Sequence, residues 1–273
     1  MSEGAVRLLS PSDILAAMRL KDAAGWNQTE EDWANLLEIE PEGCFGIDCD
    51  GVLAATATVV CYGRDLAWIG MVLTDPAFRR RGFARRLMEH AIDYATAREA
   101  AWIKLDATDM GHALYAQLGF EDECAVQRWA RPPAPAGAAP PEFSGGFDAM
   151  LDFEAFGTNR TAVLWRASVE SACLPGCAFA LARPGSHSAY FGPCVSRTED
   201  AARAMLEWFV ARHGGESLYW DLLPGNLPAA LLAREFGFEP VRRLVRMARR
   251  GLGHSPPAPS SPLVYAIAGF EFG

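Results

Sequence analysis

Residues 66–99 read LAWIGMVLTDPAFRRRGFARRLMEHAIDYATARE. LAWIGMVLT reads as a strand and LMEHAIDYATARE as a helix, and the loop between them carries RRRGFARR at 79–86. Five arginines in eight residues stand in a chain whose net charge is −9. A loop that leaves a strand and enters a helix presents several backbone N–H groups without intrahelical partners, and the helix dipole favours an anion there. Gly82 can take backbone angles closed to other residues, and small Ala84 keeps the approach open. Such geometry suits a pyrophosphate. A nucleic-acid surface fits less well: residues 1–130 hold 21 acidic and 12 basic side chains (−9), and residues 131–273 hold 13 of each (0). Outside the arginine loop the first half is acidic, which opposes phosphate tracking and suits a cationic substrate.

Working outward, the stretch ARPPAPAGAAPPEFSGG (130–146) has no apolar periodicity and reads as an extended linker. It divides the chain into domains at 1–130 and 147–273, with 131–146 between them. The first half reads β-α-α-β-β-β-α-β-α-β. Thr29 with Asp32 forms a variant capping box at the second helix, and Asp50-Gly51 marks a hairpin turn. The second half echoes the first. LYWDLL, NLPAALLAREFGF and VRRLVRMARR follow one another as IKLDAT, HALYAQLGF and VQRWAR do, and YFGPCVSRTEDAARAMLEWFV parallels the arginine-loop segment. The expected fold class is therefore α/β (α+β): one domain duplicated, each copy a mixed, mostly antiparallel sheet flanked by helices.

Arg79-Arg80-Arg81-Gly82-Phe83-Ala84 matches the R/Q-x-x-G-x-G/A signature of the GNAT superfamily of acyl-CoA N-acyltransferases. With TDPAFR before it and LYAQLGF about thirty residues on, residues 5–130 resemble that family. The whole chain is similar to its members that carry an appended, degenerate acetyltransferase-like domain. The resemblance implies acetyl-CoA as co-substrate, with its pyrophosphate on the amides of Arg79 to Ala84 and its pantetheine arm along Met71, Val72 and Leu73. It also implies that Tyr115 faces the sulfur as general acid. Members often carry Asn seven residues before this tyrosine, where this chain has Thr108.

Transfer from a thioester to an amine needs a proton acceptor for the amine, a donor for the developing oxyanion and protonation of the thiolate. Asp106 and the Glu30-Glu31-Asp32 run are candidates to attract or deprotonate the amine, and Trp26 is a candidate wall of the acceptor site. In the second half the loop SRTEDAAR lacks the glycine and is about three residues shorter. It places Glu199 and Asp200 where phosphate would sit, and no tyrosine matches Tyr115. That half is expected not to bind CoA but to cover the acceptor cleft, with Trp165, Tyr190, Phe191 and Trp220 as candidates.

The five histidines show no triad or metal spacing, and the seven cysteines are scattered, so no metal is expected. No apolar run is long enough to cross a membrane and no secretory signal is visible, so a cytoplasmic protein is the expectation. The reading is an acetyl-CoA-dependent N-acetyltransferase acting on a small amine, with neither nucleic acid nor membrane as partner. A non-catalytic acyl-CoA sensor is the alternative, and oxygen acceptors or protein lysines are a further possibility within the enzyme class.

Overall fold

The computed structural model describes residues 3–135, 141–167, 169–252 and 261–273. The first half runs β1 (Glu3–Leu8), α1 (Ile14–Ala23), α2 (Glu30–Ile39), β2 (Cys44–Cys49), β3 (Val52–Tyr62) and β4 (Leu66–Thr74). It continues with α3 (Phe83–Ala97), β5 (Trp102–Ala107), α4 (Asp109–Gln117) and β6 (Glu121–Arg131). Local chemistry explains the breaks. Asp50 and Gly51 take φ of 53° and 79°, which closes the β2–β3 hairpin in the turn its twist favours. Thr29 caps α2: its hydroxyl accepts from the Asp32 amide at 3.3 Å and its own amide donates to the Asp32 carboxylate at 2.7 Å. In α3 the buried residues Phe83, Leu87, Met88, Ala91, Ile92 and Ala95 share one helical face, which lies on β3 and β4.

The second half repeats the order without a full counterpart of β1. It comprises α5 (Ala149–Phe156), α6 (Thr161–Ala167), β7 (Glu170–Leu174), β8 (Ala178–Arg183), β9 (Ala189–Ser196), α7 (Glu199–His213), β10 (Leu218–Leu222), α8 (Leu227–Glu235) and β11 (Glu239–Arg250). A further strand, β12 (Val264–Ala266), follows. Where β1 would lie, Ser144 of the linker makes an isolated bridge to Cys173.

The division of the chain near residues 131–146 is not a division of the sheet. All twelve described strands form one sheet in the order β1-β2-β3-β4-β5-β11-β6-β10-β9-β8-β7, with β12 on β9. Each half therefore lends the strand that follows its last helix to the other: β5 pairs with β11, β10 pairs with β6, and the two exchanged strands pair at the centre. Buried ion pairs lock the exchange at equivalent positions. Arg128 of β6 donates to both oxygens of Asp221 on β10 at 2.8 and 2.6 Å, and Arg246 of β11 donates to both oxygens of Asp106 on β5 at 2.9 and 3.0 Å. Such fork-to-fork contacts fix register as well as energy. All seven cysteines are free.

Candidate active site

The site begins where β4 leaves β5. The two are parallel partners only from Leu66–Trp68 against Trp102–Lys104. Beyond that, Met71 and Val72 together oppose the single residue Ala57 of β3, a bulge in which Met71 takes a φ of 48°. The Thr56 hydroxyl donates to the Met71 carbonyl at 2.9 Å and fixes the bulge. The bent strand diverges from β5 and opens a cleft bordered by α3 on one side and α4 on the other.

The arginine loop forms the outer end of that cleft. Asp75 accepts from the Ala77 amide at 2.8 Å and is also paired with Arg19, which anchors the loop start. Arg80 and Gly82 then take φ of 61° and 81°. Alternation of this kind turns successive N–H groups inward as an anion-binding nest. Gly82 is the N-cap of α3, no side chain caps the helix, and no acid stands in its first turn. A Cβ at Gly82 would meet nothing within 4 Å, so the glycine answers to its φ and not to crowding. Arg79, Arg80, Gly82, Phe83 and Ala84 line the resulting groove of roughly 590 Å³, together with Val72 and Leu73. Arg81 is not on its wall: its guanidinium lies 5.1 Å from the centre of the Phe78 ring. Phe83 is also part of the core beneath.

A second, smaller cavity of roughly 50 Å³ lies on the inner side of the bulge. Five residues line both spaces and so mark their junction: Trp26, Val72, Thr108, Tyr115 and Arg242. Tyr115 is 8 % exposed, and burial alone pushes its hydroxyl up to about 12, so it stays protonated across the neutral range. Thr108 is the N-cap position of α4 but its side chain makes no capping bond.

Glu30 and Glu31 are exposed in the first turn of α2 and reach neither space. Asp32 is buried, holds its own helix cap and accepts from Arg183 of β8 at 3.1 Å. Asp106 does line the inner cavity, with both oxygens on Arg246, and burial raises its carboxyl above the usual range.

The most conspicuous charged group in the cavity was not a sequence candidate. After β12 the chain crosses into the first half, where Trp68 Nε1 donates to the Phe270 carbonyl at 2.9 Å and Tyr62 donates to the Phe272 carbonyl at 2.7 Å. This hook lays Glu271 against Gly70, where any Cβ would come within 2.8 Å of the Glu271 Cα. The Glu271 carboxylate is 1 % exposed, accepts from Arg183 at 2.6 Å and from Gln28 Nε2 at 2.8 Å, and lines the inner cavity. Burial raises its carboxyl, opposed by Arg183 and reinforced by Asp32. Gln28 is buried beside it, and its Oε1 has no hydrogen-bond partner. Glu271 lies 243 residues from Gln28 in sequence, and AGFEFG carries no motif of its own, so nothing local signals the contact.

From the second half, Arg242, Leu244, Phe270 and Glu271 reach the cavity. The expected aromatics do not: Tyr190, Phe191 and Trp220 are core residues, and Trp165 is 71 % exposed. The second half reaches the cavity through the exchanged strand and the hook instead. Of the histidines, His112 pairs with Asp122 and His213 with Glu170 and Glu216, His90 stands edge-on to Phe45, and His254 lies outside the described residues. No cluster of metal-ligating side chains occurs among the described residues.

The equivalent cleft of the second half is closed. The connection from β9 to α7 is the two residues 197–198, against the eight of 75–82, so it is six residues shorter and not three. Thr198 caps α7 by accepting from the Ala201 amide, and Glu199 and Asp200 follow in the first turn. At the position equivalent to Tyr115, the seventh residue of α8 is Ala233. β12 lies in the gap itself, paired with Cys194 and Val195 of β9. Trp220 Nε1 of β10 donates to the Tyr265 carbonyl at 2.9 Å, and the Ile267 amide donates to the Asp221 carbonyl at 3.0 Å.

Sequence comparison agrees with this duplicated architecture. Residues 14–120 match the model of the acetyltransferase (GNAT) family, and residues 149–261 match a second model described as an acetyltransferase (GNAT) domain. The chain belongs to the GNAT superfamily. Its two GNAT domains stand in tandem. Among solved structures it is similar to a protein described as a putative acetyltransferase from Pyrococcus horikoshii, with a TM-score of 0.86 and 21% identity, covering 100% of this chain and 97% of that one. A GCN5-related N-acetyltransferase from Sphaerobacter thermophilus gives 0.63 and 19% over 92% and 97% of the two chains. A tandem GNAT protein from the clavulanic acid biosynthesis pathway gives 0.61 and 16% over 92% and 99%. At these identities the likeness concerns the fold alone. No curated protein matches the chain. No helix among the described residues is long and apolar enough to cross a membrane.

Proposed function

We propose that this GNAT protein is an acetyl-CoA-dependent N-acetyltransferase acting on a small amine by direct attack in a ternary complex. The observation that carries this reading is the position of Tyr115 at the junction of the amide-lined groove and the charged inner cavity. The residues present fit the co-substrate: an uncapped helix start and a nest for the pyrophosphate, then a bulged strand edge leading inward for the pantetheine arm. When bound, the thioester supplies an activated acyl carbon whose bond to sulfur is exchanged for one to the acceptor nitrogen.

The chain's own groups serve that exchange in three ways. Glu271 draws the ammonium into the cavity and accepts the proton that the nitrogen loses. The walls of Trp26, Val72 and Tyr115 hold the two reactants at one point, which lowers the entropic part of the barrier. Tyr115, neutral at physiological pH, donates its proton to the departing sulfur. Asp106 has a different part, because its equivalent Asp221 makes the same bidentate clamp in a half that has neither a counterpart of Tyr115 nor an arginine loop. We assign Asp106 to the strand exchange and to the cavity's charge balance. The free thiols favour a reducing compartment, and we place the reaction in the cytoplasm.

Thiol release from acetyl-CoA across a panel of amines tests the reading, with Tyr115→Phe as the critical variant. Loss of the general acid should lower kcat by about 1000-fold while calorimetry shows acetyl-CoA still bound. Undiminished turnover would remove Tyr115 from the chemistry. Tight acetyl-CoA binding with no turnover on any amine would mark a sensor and not an enzyme.

A further inference from the structure

The inner cavity is charged in a way that a plain amine would use only in part. Three arginines of the second half bear on it. Arg183 is held by Asp32 and Glu271, and Arg246 by Asp106. Arg242 differs. It projects from β11 at the junction of the two spaces, with its guanidinium 5.8 Å from the centre of the Trp26 ring. Among the described residues no carboxylate pairs with it. Burial, and then repulsion from Arg128, lowers its affinity for its proton, the mark of a guanidinium whose charge is poorly compensated. A half-buried guanidinium presents a fork of donors matched to a carboxylate.

The opposite need is met deeper in the cavity. Gln28 Nε2 is committed to Glu271, which leaves the amide oxygen as a buried acceptor without a donor. A buried polar atom of this kind costs free energy until something satisfies it. An ammonium group would satisfy it, donating to Gln28 Oε1 and the Glu271 carboxylate together. Between these poles the walls are apolar, formed by Trp26, Met71, Leu105, Leu244 and Phe270.

We infer that the acceptor is a small amino acid with an apolar side chain, its carboxylate held by Arg242 and its amine by Glu271 and Gln28. This rests on the acyl-transfer reading above and narrows it. The reaction is amino acid plus acetyl-CoA giving N-acetyl amino acid plus CoA: the nitrogen gains the acyl carbon, the sulfur gains a proton, and the carboxylate is unchanged.

The test compares each of leucine, methionine and phenylalanine with the amine that its decarboxylation would give, using the full chain, acetyl-CoA and thiol release. The expected preference for the amino acid in kcat/KM is about 100-fold, since loss of the carboxylate leaves a buried charge unpaired. In Arg242→Gln that preference should collapse to within a few-fold while calorimetric acetyl-CoA affinity is kept, and Arg242→Lys should restore part of it. A binding readout stands apart from turnover: with CoA present, leucine should raise Tm of the wild type and not of Arg242→Gln. The inference is overturned if the decarboxylated amines are used as well as the amino acids. It is overturned equally if Arg242→Gln weakens acetyl-CoA binding and leaves the acid-to-amine ratio unchanged. If neither class accepts the acetyl group although acetyl-CoA binds, the acyl-transfer reading fails. The Tm shift then still decides whether Arg242 holds a carboxylate.

Discussion

The chain contains the same cleft twice and uses it in opposite ways. Between β4 and β5 the cleft is open, its flanking helix starts on an uncapped glycine, and a tyrosine stands at its throat. Between β9 and β10 the chain's own β12 lies in the gap, Thr198 caps the helix, and Ala233 stands where the tyrosine would be. Strands that part leave backbone groups that must be paired by something. In the first copy a ligand can serve; in the second the polypeptide does. The filled cleft also has a use, because the segment that plugs it runs on into the open one and delivers Glu271. The second domain thus reaches the first domain's site through the segment that fills its own cleft.

The sharpest way to break this comparison is at the two helix starts. Gly82→Glu forces a side chain into a φ of 81°, at a strain of roughly 1–3 kcal/mol, and sets a like charge against the phosphate. Acetyl-CoA affinity should fall by about 1000-fold, and Tm should fall by only a few degrees, from backbone strain alone, since a side chain there meets no neighbour. The mirrored change, Glu199→Gly with Asp200→Ala, removes the acids from α7 but not β12 from the gap. Calorimetry should therefore still count one acetyl-CoA per chain. A second equivalent bound would show that charge alone, and not the filling strand, silences the second cleft.

Next in size is the contribution of the hook. Glu271→Gln keeps the shape and the bond to Arg183 but cannot take a proton. It should lower kcat by about 100-fold without altering acetyl-CoA affinity. A base works only when ionised, and burial raises this carboxyl even though Arg183 opposes the shift. Activity of the wild type should therefore fall as pH drops through a value above the ordinary glutamate range of about 4.3, and the variant should lose that limb. Neighbouring groups set its position: Asp32 pushes the limb upward, and Arg183 and the Gln28 amide pull it down, while Asp106 and Arg242 also line the cavity. Tyr115, pushed up to about 12, contributes no alkaline limb below that. An acid limb that persists in Glu271→Gln would return the base to another group.

The open cleft was legible in sequence and the filled one only in part. The strand–loop–helix pattern, the hairpin at Asp50-Gly51 and the Thr29 cap are short-range signals, and the structure shows each where the residues put it. Even the repeat was readable, since IKLDAT and LYWDLL carry Asp106 and Asp221 at one position. What local pattern cannot express is which copy's strand after the last helix fills a slot. β6 and β11 share a nearly identical pattern of buried and exposed positions, so either satisfies the apolar demands of either gap. The exchange is decided by tertiary pairing, including the clamps Arg128–Asp221 and Arg246–Asp106. The acceptor end was hidden for a related reason. Arg242 and Glu271 come from a domain whose own strand-to-helix loop lacks the glycine and the arginine run, and they meet Trp26 and Gln28 only through the exchange and the hook.

The smallest expected effect separates charge from backbone in the arginine loop. Arg80 lies on the groove and takes a φ of 61°, a region glycine enters freely and arginine does not. Arg80→Gly therefore keeps the nest and deletes one exposed charge. If the amides hold the pyrophosphate, acetyl-CoA affinity should fall by only about 3-fold at low salt, and the dependence on ionic strength should weaken. Relief of backbone strain should leave Tm unchanged or slightly higher. The contrast with Gly82→Glu is the informative quantity, because the two positions are two residues apart and share the same loop. A loss at Arg80 as large as that at Gly82 would mean that charge carries the binding. The silence of the second cleft would then follow from its missing arginines, and the cap at Thr198 and the strand in the gap would be consequences of disuse and not its cause.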